Sequence, residues 1–155
     1  VLTRAHIARF LMEAGYVSQM SEAFDRFLSP GCPYYIEREK VTPADAVQLI
    51  CSTGGIPILA HPILYHFTDE KLRQLIVSLK KMGLMGIEAI YSTYSVREEA
   101  YIRDLAAELD LCISGGSDFH GDNKPGLDLG CGYGHLDIPY SILDTLRERR
   151  KNYED

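Results

Sequence analysis

Long apolar runs are missing from this chain: none approaches the roughly 20 residues a bilayer span requires, so no transmembrane helix and no membrane partner is expected. No secretory leader is expected either, because the N-terminal stretch is polar and already helical in pattern. The four cysteines, Cys32, Cys51, Cys112 and Cys131, include no CxxC pair, which argues against a zinc knuckle or a thioredoxin-type motif. They read as free thiols of a reducing cytoplasm. Positive charge is not in excess: the net charge is −6, which excludes a general electrostatic attraction to nucleic acid or anionic lipid. An acidic chain can still act on phosphates if metal ions supply the local positive charge. Internal repeats and low-complexity segments are absent too. What remains is an ordinary soluble composition, 46% hydrophobic and 25% charged, in a chain long enough to bury a real core.

The first 40 residues read as a small helical unit. Thr3 can cap a helix with Ile7, Phe10, Leu11 and Ala14 on its apolar face, ended by Gly15. A second short helix is predicted from Ser21 to Leu28, before Pro30, Gly31 and Pro33 break the pattern. From residue 41 to 155 helices and strands alternate. Thr42-Pro43 is a helix start, a capping hydroxyl followed by proline at the first helical position, and this helix runs to Cys51 before Gly54-Gly55. A strand is predicted over Ile56–Ala60. Thr68 caps the next helix, whose Asp69 and Glu70 at the start and Lys80 and Lys81 at the end suit the helix dipole. A second strand follows over Gly86–Tyr91, a helix from Ser95 to near Asp110, a third strand over Leu111–Ser114, and a last helix from Pro139 to about Lys151, with Asn152 to Asp155 fraying. This alternation predicts an α/β fold with parallel βα units. Three strands are few for a parallel sheet, and a barrel needs about eight, so the pattern reads as the closing part of a larger α/β fold.

Two strands deliver metal-ligating residue types at their C-terminal ends. Ile113-Ser114-Gly115-Gly116-Ser117-Asp118-Phe119-His120 runs from a buried strand into a turn bearing an Asp and a His two apart. In extended backbone such a pair shares one face. Alone it reads as a turn cap and a loop histidine; the preceding strand and the glycine pair, which admit close approach, favour ligation. Ile56 to His61 repeats the plan, and Pro62 is expected to hold His61 extended at the strand mouth. His61, Asp118 and His120 together suit Mn²⁺, Zn²⁺ or Fe²⁺ better than Ca²⁺ or Mg²⁺. Arg4 and His6 could hold a phosphate at a helix N-terminus, although by themselves they read as a solvated first turn. Glu88 is a charge inside an apolar strand, facing either the site or a helix cation. Tyr91, Ser92 and Tyr94 read as pocket lining or packing, Lys124 as a phosphate contact of low specificity, and His66 and His135 as surface loop residues. Gly130 to Gly134 lacks the spacing of a dinucleotide loop.

In order, Thr3-Arg4-Ala5-His6-Ile7-Ala8, Gly54-Gly55-Ile56-Pro57-Ile58-Leu59-Ala60-His61-Pro62, Gly86-Ile87-Glu88 and Gly115-Gly116-Ser117-Asp118-Phe119-His120-Gly121 resemble the PHP (polymerase and histidinol phosphatase) family, in its TrpH/YciV-type branch of metal-dependent phosphoesterases. Asn123-Lys124-Pro125-Gly126 and Ile138-Pro139-Tyr140-Ser141-Ile142-Leu143 add to the likeness. The resemblance implies the C-terminal part of a distorted (β/α)7 barrel, preceded by a small helical insertion. It implies divalent metal ions and hydrolysis of phosphoesters in nucleotides, other phosphorylated small molecules or short nucleic acid. His61 then matches a metal ligand of a His-Pro motif, and Asp118 and His120 match the family's last ligand pair. Arg4 and His6 match an Arg-x-His element tied to the substrate phosphate, with Ala5 where proline is usual. Tyr94 stands where the branch often has histidine. The family's opening His-x-His and Asp-His motifs are absent, so the resemblance implies a fragment holding part of the metal site, weak or inactive alone. Such a piece would act in a larger parent, pair with a separate N-terminal half or a second copy, or serve as a non-catalytic metal-binding module.

Overall fold

A computed structural model describes residues 3–36 and 41–154. The expected division near residue 40, the chain start at Val1 and the end of the tail at Asp155 fall outside the described residues. The chain separates into two compact units, Val1–Lys40 and Val41–Asp155.

In the first unit, α1 spans Arg4–Glu13 after an extended Thr3. Helix α2, Met20–Ala23, widens without a break into a π-helical turn, Phe24–Leu28. Glu22 anchors its start: the Ser18 N–H and hydroxyl both donate to Glu22 Oε2 at 2.7 Å, and Arg26 pairs with Oε1 at 2.6 Å. Ala8, Val17, Ala23 and Leu28 form this unit's small core.

The second unit opens on α3, Pro43–Ser52, with Thr42 as its cap. The Thr42 hydroxyl accepts from the Asp45 N–H at 3.1 Å, and the Asp45 carboxylate accepts from the Thr42 N–H at 3.2 Å. Two otherwise unpaired helix-end donors are satisfied reciprocally. Thr42→Ala is expected to cost this unit about 1 kcal/mol, read as a lower urea midpoint at unchanged slope.

Strand β1 is Ile58–Leu59, shorter than the predicted Ile56–Ala60. The Met85 and Gly86 N–H groups both donate to the Pro57 carbonyl, at 3.0 and 3.2 Å, but proline has no N–H to return. A single 3₁₀ turn, Pro62–Tyr65, leads to α4, Asp69–Lys81. Strand β2 is Gly86–Tyr91, α5 is Val96–Glu108 and β3 is Cys112–Gly116. Helix α6 runs over Ser141–Glu154, so the fraying expected from Asn152 does not occur through Glu154. The good helix formers Leu146 to Lys151 carry it on.

The three strands form one parallel sheet in the order β1-β2-β3. The fold is thus mixed α/β with a parallel sheet, as the alternation predicted. Ile76 of α4, Ile87 of β2 and Ile102 of α5 are fully buried in the core, with Ala89 beside them. Among the described residues no helix is long and apolar enough to cross a membrane.

One irregularity in β2 sets up the site. Glu88 pairs with Ser114, but Ile90 pairs with Gly115, leaving Ala89 as an extra residue against β3. Such a bulge re-aims the side chains beyond it. A Cβ at Gly116 would touch Glu88 and one at Gly115 would touch Ile90, so Glu88 and Ile90 lie on opposite faces despite being two apart. Glu88 and Tyr91, three apart, come to the same face.

Candidate functional site

The site lies past the C-terminal ends of β1, β2 and β3. His61 follows β1 in left-handed backbone, φ 32° and ψ 54°, and this corrects the expectation that Pro62 holds it extended. Proline disfavours only the right-handed region for the residue before it. The decision between the remaining conformations is tertiary. The His61 N–H donates to Glu88 Oε2 at 2.8 Å, and the His61 carbonyl accepts from the Leu64 N–H at 3.1 Å to close the 3₁₀ turn. The imidazole packs against Tyr91, ring centres 5.6 Å apart, and edge-on to Tyr65 at 6.4 Å. Its Nδ1 is buried without a hydrogen-bond partner.

Glu88 is the charge that the sequence left between two readings. The structure turns it to the site. Burial raises its pKa, opposed by the His61 N–H hydrogen bond and the nearby imidazole. A Cβ at Gly116 would come within 2.7 Å of Glu88 Oε1, so glycine there leaves the carboxylate its room.

Asp118 is also left-handed, φ 58°, and lies beyond the end of β3. The expectation of an extended Asp118-Phe119-His120 segment is therefore corrected as well. The two side chains still meet, because a turn folds the imidazole back: His120 Nδ1 is 2.8 Å from the Asp118 carbonyl oxygen and 3.3 Å from its Oδ1. The Tyr91 hydroxyl donates to Asp118 Oδ2 at 2.6 Å, and Lys124 Nζ donates to the same oxygen. The Lys124 ammonium and the Tyr91 hydroxyl hold the Asp118 pKa below its usual value. Burial raises that of the Tyr91 phenol, and its bond to ionised Asp118 adds to the shift. Ser92 Oγ donates to the Ser117 carbonyl at 2.9 Å and fixes the loop root.

His61, Glu88, Tyr91, Asp118, His120 and Lys124 are thus linked in one cluster. Tyr94 lies at its edge, where its hydroxyl accepts from the Ile63 N–H at 3.2 Å. The oddness of Glu88 was legible in the sequence. The sequence left Tyr91 between pocket lining and packing, and the bulge decides its direction. Arg4 and His6 sit in the other unit. Arg4 Nη1 donates to the Leu28 carbonyl at 3.3 Å and lies over the Tyr35 ring, and His6 Nδ1 accepts from the Thr3 N–H at 3.2 Å.

Among the described residues no group of three or more His, Cys, Asp or Glu side chains is already drawn together around a cation position. The donor chemistry nonetheless fits a divalent ion. A buried imidazole nitrogen without a partner stands beside a half-buried carboxylate, and a second carboxylate holds a lysine ammonium.

No protein-family model matches the chain. Its sequence is 38% identical over 145 residues to a 5′-3′ exoribonuclease from Haemophilus influenzae, matching 94% of this chain and 50% of that protein. It is 32% identical over 130 residues to a 3′,5′-nucleoside bisphosphate phosphatase from Chromobacterium violaceum, matching 84% of this chain and 46% of that protein. Among solved structures, an amidohydrolase from Chromobacterium violaceum, with bound sulfate and no metal, superposes with a TM-score of 0.68 at 32% identity. That match covers 95% of this chain and 51% of the other. A protein from Bifidobacterium adolescentis assigned as a metal-dependent phosphoesterase gives a TM-score of 0.66 at 27% identity, covering 94% of this chain and 50% of that one. These matches support a PHP-like phosphoesterase family. The chain spans about half the length of the curated relatives it matches.

Proposed function

We propose that this chain is the C-terminal portion of a metal-dependent phosphoesterase and carries part of its metal site. His61, Asp118 and His120 are its metal ligands, and the substrate is a phosphorylated small molecule, a nucleotide or a short nucleic acid. The observation that carries this reading is the buried, partnerless Nδ1 of His61 beside Glu88. A buried ring nitrogen without a hydrogen-bond partner calls for an explanation, and a bound cation is one that supports this reading. The names of the relatives point the same way, to phosphoester substrates and metal dependence. Of the candidate metals, Mn²⁺, Zn²⁺ and Fe²⁺ suit a set containing two imidazoles. Such an ion, when bound, supplies Lewis acidity and lowers the pKa of its water.

The chain's own residues orient that site. Glu88 fixes the His61 backbone, Tyr91 steers the Asp118 carboxylate, and Gly116 leaves space. Arg4 and His6 are assigned to the substrate phosphate. The remaining ligands come from the N-terminal half of a distorted (β/α)7 barrel, within the same parent protein, from a separate half or from a second copy. The isolated chain is then weak or inactive.

The test is elemental analysis of the parent protein, with hydrolysis of a 3′,5′-bisphosphonucleotide in added Mn²⁺. His120→Ala should lower metal content and rate together, by about 10- to 100-fold in affinity or activity. Normal turnover after that change would remove His120 from the metal site. Metal bound without turnover of any phosphoester would instead favour a non-catalytic metal-binding module.

A further inference from the structure

We propose that Lys124 serves as the internal counter-cation of Asp118, occupying its carboxylate in the metal-free chain and exchanging places with a divalent ion when one binds. The inference rests on the reading of Asp118 as a metal ligand, and adds a residue that controls access to it.

Three observations carry it. First, Lys124 Nζ donates to Asp118 Oδ2, an oxygen that already accepts from the Tyr91 hydroxyl at 2.6 Å. A carboxylate so engaged has its charge balanced and its lone pairs directed, which opposes a second cation on the same oxygen. Second, the lysine holds only one oxygen of the carboxylate, while the other, Oδ1, lies 3.3 Å from Nδ1 of His120, the neighbouring candidate ligand. Third, Lys124 stands in a loop, and its side chain reaches solvent. Lys124 follows a single 3₁₀ turn, Gly121–Asn123, and lies between two glycines in left-handed backbone, Gly121 at φ 59° and Gly126 at φ 80°. The lysine side chain is 39% exposed while that of Asp118 is 18% exposed, so the ammonium can swing to solvent without opening the core. Leu127 is buried, and its N–H donates to the Lys124 carbonyl at 3.3 Å, which ties the backbone at this point. The lysine stem has the freedom for such a swing, which a rigid Arg fork would not.

The experiment uses the parent protein, in which the remaining ligands are present, and Mn²⁺ alone. Calorimetric titration compares the natural chain with Lys124→Met and with Asp118→Asn. Lys124→Met keeps the length of the side chain and removes its charge. Mn²⁺ should bind Lys124→Met about fivefold more tightly, the scale of a partly exposed ion pair removed from competition. In parallel, amine acylation read by mass spectrometry should find Lys124 slow to react without Mn²⁺ and faster with it, while Lys80 and Lys81 on α4 do not change. Equal or weaker Mn²⁺ binding by Lys124→Met, or acylation of Lys124 indifferent to Mn²⁺, overturns the exchange while leaving Asp118 as a ligand, provided that Asp118→Asn weakens binding. Mn²⁺ binding unaffected by Asp118→Asn, or no Mn²⁺ binding by any of the three chains, overturns both the exchange and the ligand assignment.

Discussion

Replacing Ile87 with alanine should cost the Val41–Asp155 unit about 2–5 kcal/mol, toward the upper end of that range. Ile87 is fully buried, near the start of the central strand. Its backbone pairs with Leu59 on one side and Ile113 on the other, so neither flank can slide in to fill the void. On its face it shares a core with Leu72 and Ile76 of α4 and with Ile102 and Leu105 of α5. A cavity there has a sheet as its floor and two helices as its roof, which leaves little room for collapse. Domain stabilities are about 5–15 kcal/mol, so one side chain governs a large share of the total. Urea unfolding followed by circular dichroism checks it, with Ile87→Val as the reference at about 1 kcal/mol. A midpoint for the alanine variant no lower than that of the valine variant would show that the site relaxes freely, against the packing described.

Glu88→Ala should have the largest effect on the site itself. It removes the acceptor for the His61 N–H, a loss of about 1–3 kcal/mol where the donor stays buried. It also releases a histidine held at φ 32°, a conformation the chain keeps only while its surroundings impose it. Divalent-ion affinity of the parent protein should fall about 10- to 100-fold, as is usual when a residue that orients a ligand is lost. Glu88→Gln separates the two contributions. The amide oxygen can still accept from the His61 N–H, so thermal stability should be largely restored. The negative charge is gone, so ion affinity should be only partly restored. Full recovery of affinity in the glutamine variant would assign Glu88 a purely geometric role. No loss in the alanine variant would remove it from the site.

Much of the framework was legible because it rests on local chemistry. Thr42, Thr68 and Ser95 each accept a backbone N–H three residues on, as their place before apolar-periodic segments predicted. Gly86–Tyr91 is the strand that its apolar run announced. The parallel order followed from the alternation of helix and strand. What escaped the sequence is whatever tertiary contacts decide. His61 and Asp118 were read as extended from rules of neighbouring residues, yet both are left-handed, because Glu88 holds one and Tyr91, Lys124 and His120 surround the other. Tyr91 stayed between pocket lining and packing for a different reason. Strict alternation places it opposite Glu88, and only the extra residue at Ala89 reverses that phase. Lys124 could be named as a candidate but its partner could not, since Asp118 lies six residues away across a turn.

His61 and Asp118, at φ 32° and φ 58°, make the site an energetic debtor to the sheet behind it. Each left-handed residue costs of order 1 kcal/mol that the surrounding structure supplies. Linkage makes that relation run in both directions. Whatever fastens these two residues from the solvent side returns the same free energy to β1, β2 and β3. A loosening of the distant core is felt at the ligands as surely as a blow to the ligands themselves. If the proposed site holds a cation, its affinity and the unit's resistance to unfolding are therefore coupled, and a change in either one bears on the other.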